Sequence, residues 1–278
     1  MGKNKKLDRV LTFNIPMLLM LLWSVFPIYW TLNTALKPES DIIGSSVVEY
    51  LPSNVTIDNF ITAWTNVGFD TFFGNSLIVG ISTVLLTVLL SILAGYALGR
   101  YDFAGKRFLM LVLLATQFIP KSMLIIPLFI IFSNLGLTSN LFGLVLIYTT
   151  VQVPFNSILM SGFIASIPAE LEEAASIDGA TKLQSLTKVL LPLLGPGIVA
   201  TSVNIFVYAW NEFILALMLT SNHAKFTLPV GLSFMMGEYN IHYGALAAGS
   251  IIALIPSVIL FLIAQKHLVN GMGGAVKG

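Results

Sequence analysis

EEAASIDGATKLQSLTKVLLPLL (residues 172–194) is a polar stretch between two long apolar segments of this 278-residue chain. Its first residues are acidic: Glu172 and Glu173 follow Glu170, which lies just before the stretch, and Asp178 comes soon after them. Charged residues make up only 10% of the whole chain, whereas average soluble proteins contain about 25%. A concentration of carboxylates in such a chain therefore needs an explanation, and the segments around it indicate what kind of protein contains it.

The flanking segments belong to a set of apolar runs that are long enough to cross a bilayer as helices, which takes about 20 residues. Hydrophobic residues form 56% of the chain, and its mean hydropathy is +0.88. The runs do not alternate with polar residues, so helices rather than a β-barrel are expected in the lipid. We predict an all-α polytopic membrane protein in which residues 1–278 form a single transmembrane domain. The six predicted spans cover about residues 11–32, 73–96, 108–132, 141–164, 195–219 and 245–265.

The distribution of Lys and Arg predicts the orientation of these spans. With the N-terminus inside the cell, eleven of the fourteen basic residues fall on the cytoplasmic side. Lys37 and Lys225 are then outside, and Lys121 is within a span. Cytoplasmic loops carry an excess of Lys and Arg, so we expect both termini and the polar segment 166–192 to be cytoplasmic.

The sequence gives no support for nucleic-acid binding, metal binding or ATP binding by this chain. The net charge of +1 gives no reason to expect a nucleic-acid partner, cysteine is absent, and the three His residues lack metal-ligand spacing. A P-loop has the pattern G-x-x-x-x-G-K-[ST]. Around Gly105-Lys106, however, Arg100 replaces the first glycine and Arg107 replaces the hydroxyl residue. We predict no catalytic residue, no metal site and no ATP site in this chain.

The polar segment predicts a short helix. Ser166 can cap its start, Pro168 suits the first turn, and carboxylates follow where the helix dipole favours them. Gly179 predicts the end of that helix, and Pro192 the end of the next one. The segment is either an amphipathic helix at the membrane surface or a docking site for a protein. Surface helices normally carry Lys and Arg toward anionic lipid, so the acidic start favours a protein partner.

The segment also resembles the EAA loop of ABC-importer permeases. The shared pattern is Glu173-Ala174-Ala175, three residues, Gly179, nine residues, Val189 and then Leu191-Pro192, with Val189 in place of the usual Ile. In that family the loop forms a coupling helix that docks in a cleft of a cytoplasmic ATPase. The resemblance implies polar contact from Glu173, close approach at the two alanines and a turn at Gly179. The residues predicted to couple to the ATPase are Glu172, Glu173, Ala174, Ala175, Asp178, Gly179 and Pro192.

Further motifs resemble the carbohydrate-importer permeases, and the second permease of the maltose/multiple-sugar type in particular. They are LEEAASIDGAT (171–181), AWNEF (209–213), TLPVGL (227–232) and GMGGAVKG (271–278). The resemblance implies the type I ABC importer permease fold in a bacterial or archaeal cell membrane. It also implies four partners besides membrane lipid: a second homologous permease, an ATPase dimer that binds ATP and Mg, an extracytoplasmic substrate-binding protein and a sugar.

Three polar residues in or near the predicted spans are candidates for a substrate path, because polar groups in membranes are costly and often functional. Asn211 and Glu212 lie among aromatic residues, and Lys121 lies between two prolines that predict a kink. Each of the three also has a structural interpretation, at an interface or in an ion pair with a neighbouring chain. The C-terminal tail, with Gly274 and Lys277, is either disordered or laid against the ATPase.

Three alternatives to a sugar importer stay open at this point. A secondary transporter places a polar site between inverted repeats, and neither a repeat nor paired intramembrane acids are evident. An assembly subunit would bind partners without lining a path. The same machinery with another cargo, such as a glycerol phosphate ester, is the third alternative.

Overall fold

The computed structural model describes residues 8–44, 48–236 and 241–273, and their side chains as far as residue 265. All regular elements in these ranges are helices, which confirms the predicted all-α class. The helices are α1 (Val10–Ala35), α2 (Glu39–Ile43), α3 (Asp58–Ile61), α4 (Phe69–Arg100), α5 (Lys106–Ala115), α6 (Lys121–Asn134), α7 (Leu141–Ala165), α8 (Glu170–Ile177), α9 (Lys182–Leu193), α10 (Gly195–Asn211), α11 (Ile214–Leu219), α12 (Leu228–Phe234) and α13 (Tyr243–Gly273).

Four helices in the described part of the chain are long and apolar enough to cross a membrane on their own: α1, α4, α7 and α13. Two bent helix pairs pass the same test when each pair is taken together, which would bring the number of spans to six. The first pair is α5 with α6, bent by 100°, and the second is α9 with α10, bent by 78°. The chain is therefore a multi-pass membrane protein with four to six spans by length and composition.

The third predicted span, residues 108–132, is not one continuous helix. The chain leaves the helical conformation at Ile119, whose ψ angle is 118°, and α6 begins after Pro120. Proline lacks a backbone N–H and disfavours helical geometry in the residue before it. Pro127, by contrast, lies inside α6 without ending it. The break therefore occurs at the first of the two prolines that predicted a kink.

The fifth predicted span, residues 195–219, is interrupted as well. Helix α10 ends at Asn211, the backbone of Glu212 is extended with a ψ angle of 123°, and α11 begins only at Ile214. At its other end, α10 begins with Pro196 in the first turn, a position where the fixed φ angle of proline suits a helix. The bend between α9 and α10 lies immediately before this turn.

The chain divides into two compact units. One contains the residues before Thr71 together with Leu232–Ile255, and the other contains Thr71–Gly231 and the residues from Pro256 onward. In the first unit, the carboxylate of Glu39 accepts hydrogen bonds from the backbone N–H groups of Tyr243 and Gly244, at 2.8 and 2.9 Å. A carboxylate in α2 thus satisfies free N–H groups at the start of α13.

In the second unit, α9 is held against α4 and α7 by a row of leucines. Leu186, Leu190 and Leu194 are buried at four-residue intervals and pack with residues of both helices. Helices α4 and α7 approach closely at Gly95, where an added Cβ atom would lie 2.9 Å from the Cβ atom of Met160. Small residues permit such close contact between membrane helices. This packing fixes the start of α9, and with it the polar segment that precedes α9.

Candidate coupling site

Helix α8 begins three residues later than the sequence predicted. Ser166 still has a helical backbone at the end of α7, and its hydroxyl donates to the carbonyl oxygen of Phe163 at 2.7 Å. A capping serine needs an extended backbone, so the prediction that Ser166 caps α8 was wrong. Ala169 occupies the cap position and offers no side-chain bond. The carboxylates of Glu170, Glu172 and Glu173 lie in the first turn, where the helix dipole favours negative charge.

The turn after α8 depends on Gly179, as predicted. The helix ends at Ile177, and the φ angle of Gly179 is +86°, in the left-handed region that glycine adopts without steric cost. A Cβ atom at this position would meet no heavy atom within 4 Å. The backbone conformation alone, and not a shortage of space, therefore disfavours other residues here.

Helix α9 starts with a capping box that we did not predict. The hydroxyl oxygen of Thr181 accepts from the N–H of Gln184 at 3.3 Å, and the side-chain oxygen of Gln184 accepts from the N–H of Thr181 at 2.8 Å. The T-x-x-Q spacing of these two residues is a sequence signal for a capping box. Pro192 lies in the last turn of this helix, which ends one residue later, at Leu193.

The carboxylate of Glu172 points inward, to the end of α4. It forms an ion pair with the guanidinium of Arg100, and its other oxygen accepts from the hydroxyl of Tyr96 at 2.8 Å. Arg100 also donates to the carbonyl oxygen of Ile167 at 2.8 Å. The side chains of Glu172 and Arg100 are only 10% and 12% exposed. We call these four residues the Arg100–Glu172 cluster. It ties α8 and the linker before it to α4.

The opposite face of α8 is open to the surroundings. Glu173 and Ala174 are exposed, Ala175 is half-buried, and Asp178 and Gly179 are exposed in the turn. Ile177, which we did not single out from the sequence, is 86% exposed at the end of this face. An exposed aliphatic side chain bordered by carboxylates is suited to binding a protein surface. Of the two adjacent glutamates, only Glu173 faces a possible partner.

Glu212 is buried within the second unit and satisfies donors of its own chain. Its carboxylate accepts from the backbone N–H groups of Leu215 and Ala216, both at 3.0 Å, and from the hydroxyl of Tyr148 at 3.1 Å. The residue is 6% exposed. Neighbouring Trp210 is buried too and stacks on Phe206, with ring centroids 5.4 Å apart. Glu212 thus caps α11 and links it to α7.

Lys121 and Asn211 are exposed, and they have different surroundings. The ammonium of Lys121 lies 4.2 Å from the ring centroid of Tyr208, which is a cation–π contact. The rings of Tyr208 and Tyr148 meet edge to face at 5.9 Å, so two tyrosines connect Lys121 to Glu212. The side-chain amide of Asn211 donates to the carbonyl oxygen of Val207, one turn earlier in its own helix, at 2.8 Å.

Three amides between α7 and α10 form a polar row that the sequence did not reveal. Asn204 donates to Asn156 at 3.3 Å, and Asn156 donates to the side-chain oxygen of Gln152 at 2.9 Å. Gln152 and Asn156 are buried, whereas Asn204 is exposed. Gln152 and Asn156 are four residues apart in an apolar helix, a spacing that places both on one face. The other predicted site residues, Gly274 and Lys277, lie outside the described residues.

Comparison with known proteins identifies the family. Residues 88–274 match the family described as "Binding-protein-dependent transport system inner membrane component". This chain is an inner-membrane permease of that family. The permease is 35% identical to the diacetylchitobiose uptake system permease DasC of Streptomyces coelicolor, over 95% of this chain and 96% of the relative. It is 36% identical to the trehalose transport system permease SugB of Mycobacterium tuberculosis, over 92% and 93%.

A more distant comparison concerns the fold. The permease superposes on a chain of a bacterial ABC transporter involved in the import of the acidic polysaccharide alginate, with a TM-score of 0.83. The identity is 24%, and the match covers 94% of the permease and 97% of that chain. The predicted ABC importer permease fold is thereby confirmed. The structure has six spans, the predicted number, when each bent helix pair is counted as one span.

Proposed function

We propose that the permease imports a sugar or a sugar derivative, as one half of a transmembrane path shared with a second, homologous permease. An extracytoplasmic binding protein delivers the sugar. A separate ATPase dimer binds ATP and Mg and supplies the energy, and this chain contributes no cofactor. Support for a carbohydrate comes from the relatives named for diacetylchitobiose and trehalose, and from one named for sulfoquinovosyl glycerol, 34% identical over 94% of this chain.

The observation that carries the coupling role is the outward face of α8. Glu173, Ala174 and Ile177 are exposed together, while the row of leucines holds the following helix against the hydrophobic core of the second unit. In the proposed importer this face is cytoplasmic, as are both termini. Glu173 makes a polar contact with the ATPase, Ala174 allows close approach, and Ile177 inserts into an apolar cleft.

The sugar path in this proposal uses the exposed polar side chains of the second unit. Asn204, Asn211 and Lys121 have polar atoms available to hydroxyl groups. Glu212 acts indirectly, because its oxygens already accept three hydrogen bonds. No observation favours a glycerol phosphate ester or a secondary transporter over an ATP-driven sugar importer.

Uptake of labelled disaccharide into proteoliposomes that contain the permease with its co-purified partners tests this proposal. We expect import only with ATP, and Glu173→Lys should abolish it by reversing the charge on the docking face. Asp102→Lys is the matched control. It reverses an exposed carboxylate that pairs with Lys106 at the surface, where such pairs contribute little, and it should leave uptake unchanged. Import without nucleotide, or normal import by Glu173→Lys, would contradict the proposed function.

A further inference from the structure

We infer that the Arg100–Glu172 cluster is the link through which movement of α8 reaches α4, so that Glu172 is a positioning residue and not a contact to the ATPase. This inference rests on the proposed function and deepens it. The two adjacent glutamates of the loop then have separate tasks. Glu173 binds the partner, and Glu172 passes the partner's movement into the membrane.

The cluster joins three segments of the chain. Tyr96 and Arg100 lie four residues apart in the last turn of α4 and so share a helix face. Glu172 comes from α8, and Ile167 from the linker between α7 and α8. Both charges are largely removed from water, and hydrogen bonds to ionised groups are about twice as strong as neutral ones.

Helix α8 lies against the first half of α9 and is joined to α4 by the cluster. None of its residues is buried, in contrast to α9, where Leu186 and Leu190 are buried in the core. A displacement of α8 therefore acts on the rest of the molecule through its packing on α9 and through the carboxylate of Glu172. Among the hydrogen bonds and ion pairs of the described residues, those of Glu172 join α8 to α4. That helix runs for 32 residues, so it can carry a movement across the bilayer.

The cluster holds the region of α8 at two points. Arg100 bonds to α8 through Glu172 and to the preceding linker through the carbonyl oxygen of Ile167. The two bonds restrain α8 against both translation and rotation relative to the end of α4. Loss of the carboxylate would leave α8 attached to the ATPase through its outer face while α4 no longer follows it.

The test compares Glu172→Gln with Glu173→Gln in the assembled importer. We expect Glu172→Gln to co-purify with the ATPase and to hydrolyse ATP at a rate close to that of the native complex, while sugar imported per ATP falls about fivefold or more, as expected when a coupling free energy is removed. Glu173→Gln should instead reduce co-purification. Arg100→Gln should behave like Glu172→Gln, whereas Arg107→Gln, which changes an exposed arginine of the same region, should behave like the native chain.

A distance measurement separates positioning from general damage. The chain has no cysteine, so Leu171→Cys in α8 and Asp102→Cys after α4 give it two spin-labelling sites, to be used with cysteine-free partner subunits. With the cluster intact, the distance between the labels should be the same in the nucleotide-free and ATP-bound complexes. In Glu172→Gln the two distributions should differ and broaden. Arg100→Lys keeps the positive charge and should retain part of the coupling that Arg100→Gln loses.

Three results would overturn the inference. They are unchanged import per ATP in Glu172→Gln, loss of ATPase co-purification in Glu172→Gln equal to that in Glu173→Gln, and a label distance that is insensitive to Glu172→Gln. Failure of the proposed function is a different outcome, since the native complex would then lack ATP-dependent import. Should Glu172→Gln fail to insert, Tyr96→Phe and Arg100→Lys each weaken the cluster more gently. Full coupling in both of these variants would equally refute the inference.

Discussion

Replacing Glu212 with alanine should destabilise the permease rather than remove a sugar contact. The carboxylate accepts three hydrogen bonds inside the second unit, two from the first turn of α11 and one from Tyr148 of α7. Alanine leaves all three donors without their acceptor. Because Glu212 is 6% exposed, water cannot replace the lost oxygens freely.

The expected loss in the free energy of unfolding follows from the number of hydrogen bonds that the substitution removes. Hydrogen bonds between membrane helices are worth about 0.6 kcal/mol each on average, so three give about 2 kcal/mol. Donors left unpaired in a buried site cost about 1–3 kcal/mol each, so three unpaired donors raise the expected loss to about 3 kcal/mol or more. In Glu212→Gln the remaining oxygen can keep the two bonds that share one carboxylate oxygen, to Tyr148 and Ala216. The new side-chain NH2 group cannot accept from the N–H of Leu215, so that change should cost about 1–3 kcal/mol, the cost of one unpaired buried donor.

Unfolding of the purified permease in mixed micelles, followed by helical circular dichroism against the fraction of denaturing detergent, measures these losses. Glu212→Ala should lower the midpoint most, and Glu212→Gln and Tyr148→Phe should lower it less. Asn211→Ala is the matched control, because Asn211 bonds only to its own helix and is exposed. It should change the free energy of unfolding by less than about 0.5 kcal/mol. A Glu212→Ala chain that is as stable as the native one but binds no sugar would refute the capping role.

Three further outcomes are expected. Gly179→Val should impair the turn more than Gly179→Asn, since asparagine tolerates a positive φ angle and valine does not, and import by the two variants at equal membrane levels checks this. Leu190→Ala should cost about 2–5 kcal/mol because the side chain is fully buried, which unfolding in mixed micelles measures, while the half-buried Val189→Ala should cost less. Ile177→Ser should leave stability unchanged and weaken co-purification of the ATPase, whereas Leu171→Ser, at a less exposed position on the same helix, should weaken it less.

The sequence was sufficient for those features that depend on composition or on local backbone chemistry. Long apolar runs predicted membrane helices, and the left-handed turn at Gly179 follows from a property of glycine alone. The prolines around Lys121 predicted the kink near Ile119, whereas the break at Glu212 was missed because hydropathy is averaged over a window of about 19 residues. Two or three extended residues within such a window do not alter the average.

The roles of Glu172 and Glu173 show a second limit of sequence reasoning. The two residues are identical and adjacent, and both were predicted to couple the permease to the ATPase. Successive residues in a helix point about 100° apart, so one carboxylate reaches Arg100 while the other is exposed. Arg100 is remote from Glu172 along the chain, and the pairing appears only when α4 and α8 are placed side by side. From the sequence alone, Arg100 served as evidence of orientation and as an argument against a P-loop.

Because no residue of α8 is buried, the stability of the permease imposes few demands on the identity of its outward residues. Those positions can be substituted together without repacking the core. In the proposed importer, a lineage could exchange one ATPase for another, or let several permeases share one, by altering a few exposed side chains while Glu172 and Arg100 stay unchanged. The same property makes α8 a natural graft site for redirecting a sugar permease to an ATPase of choice.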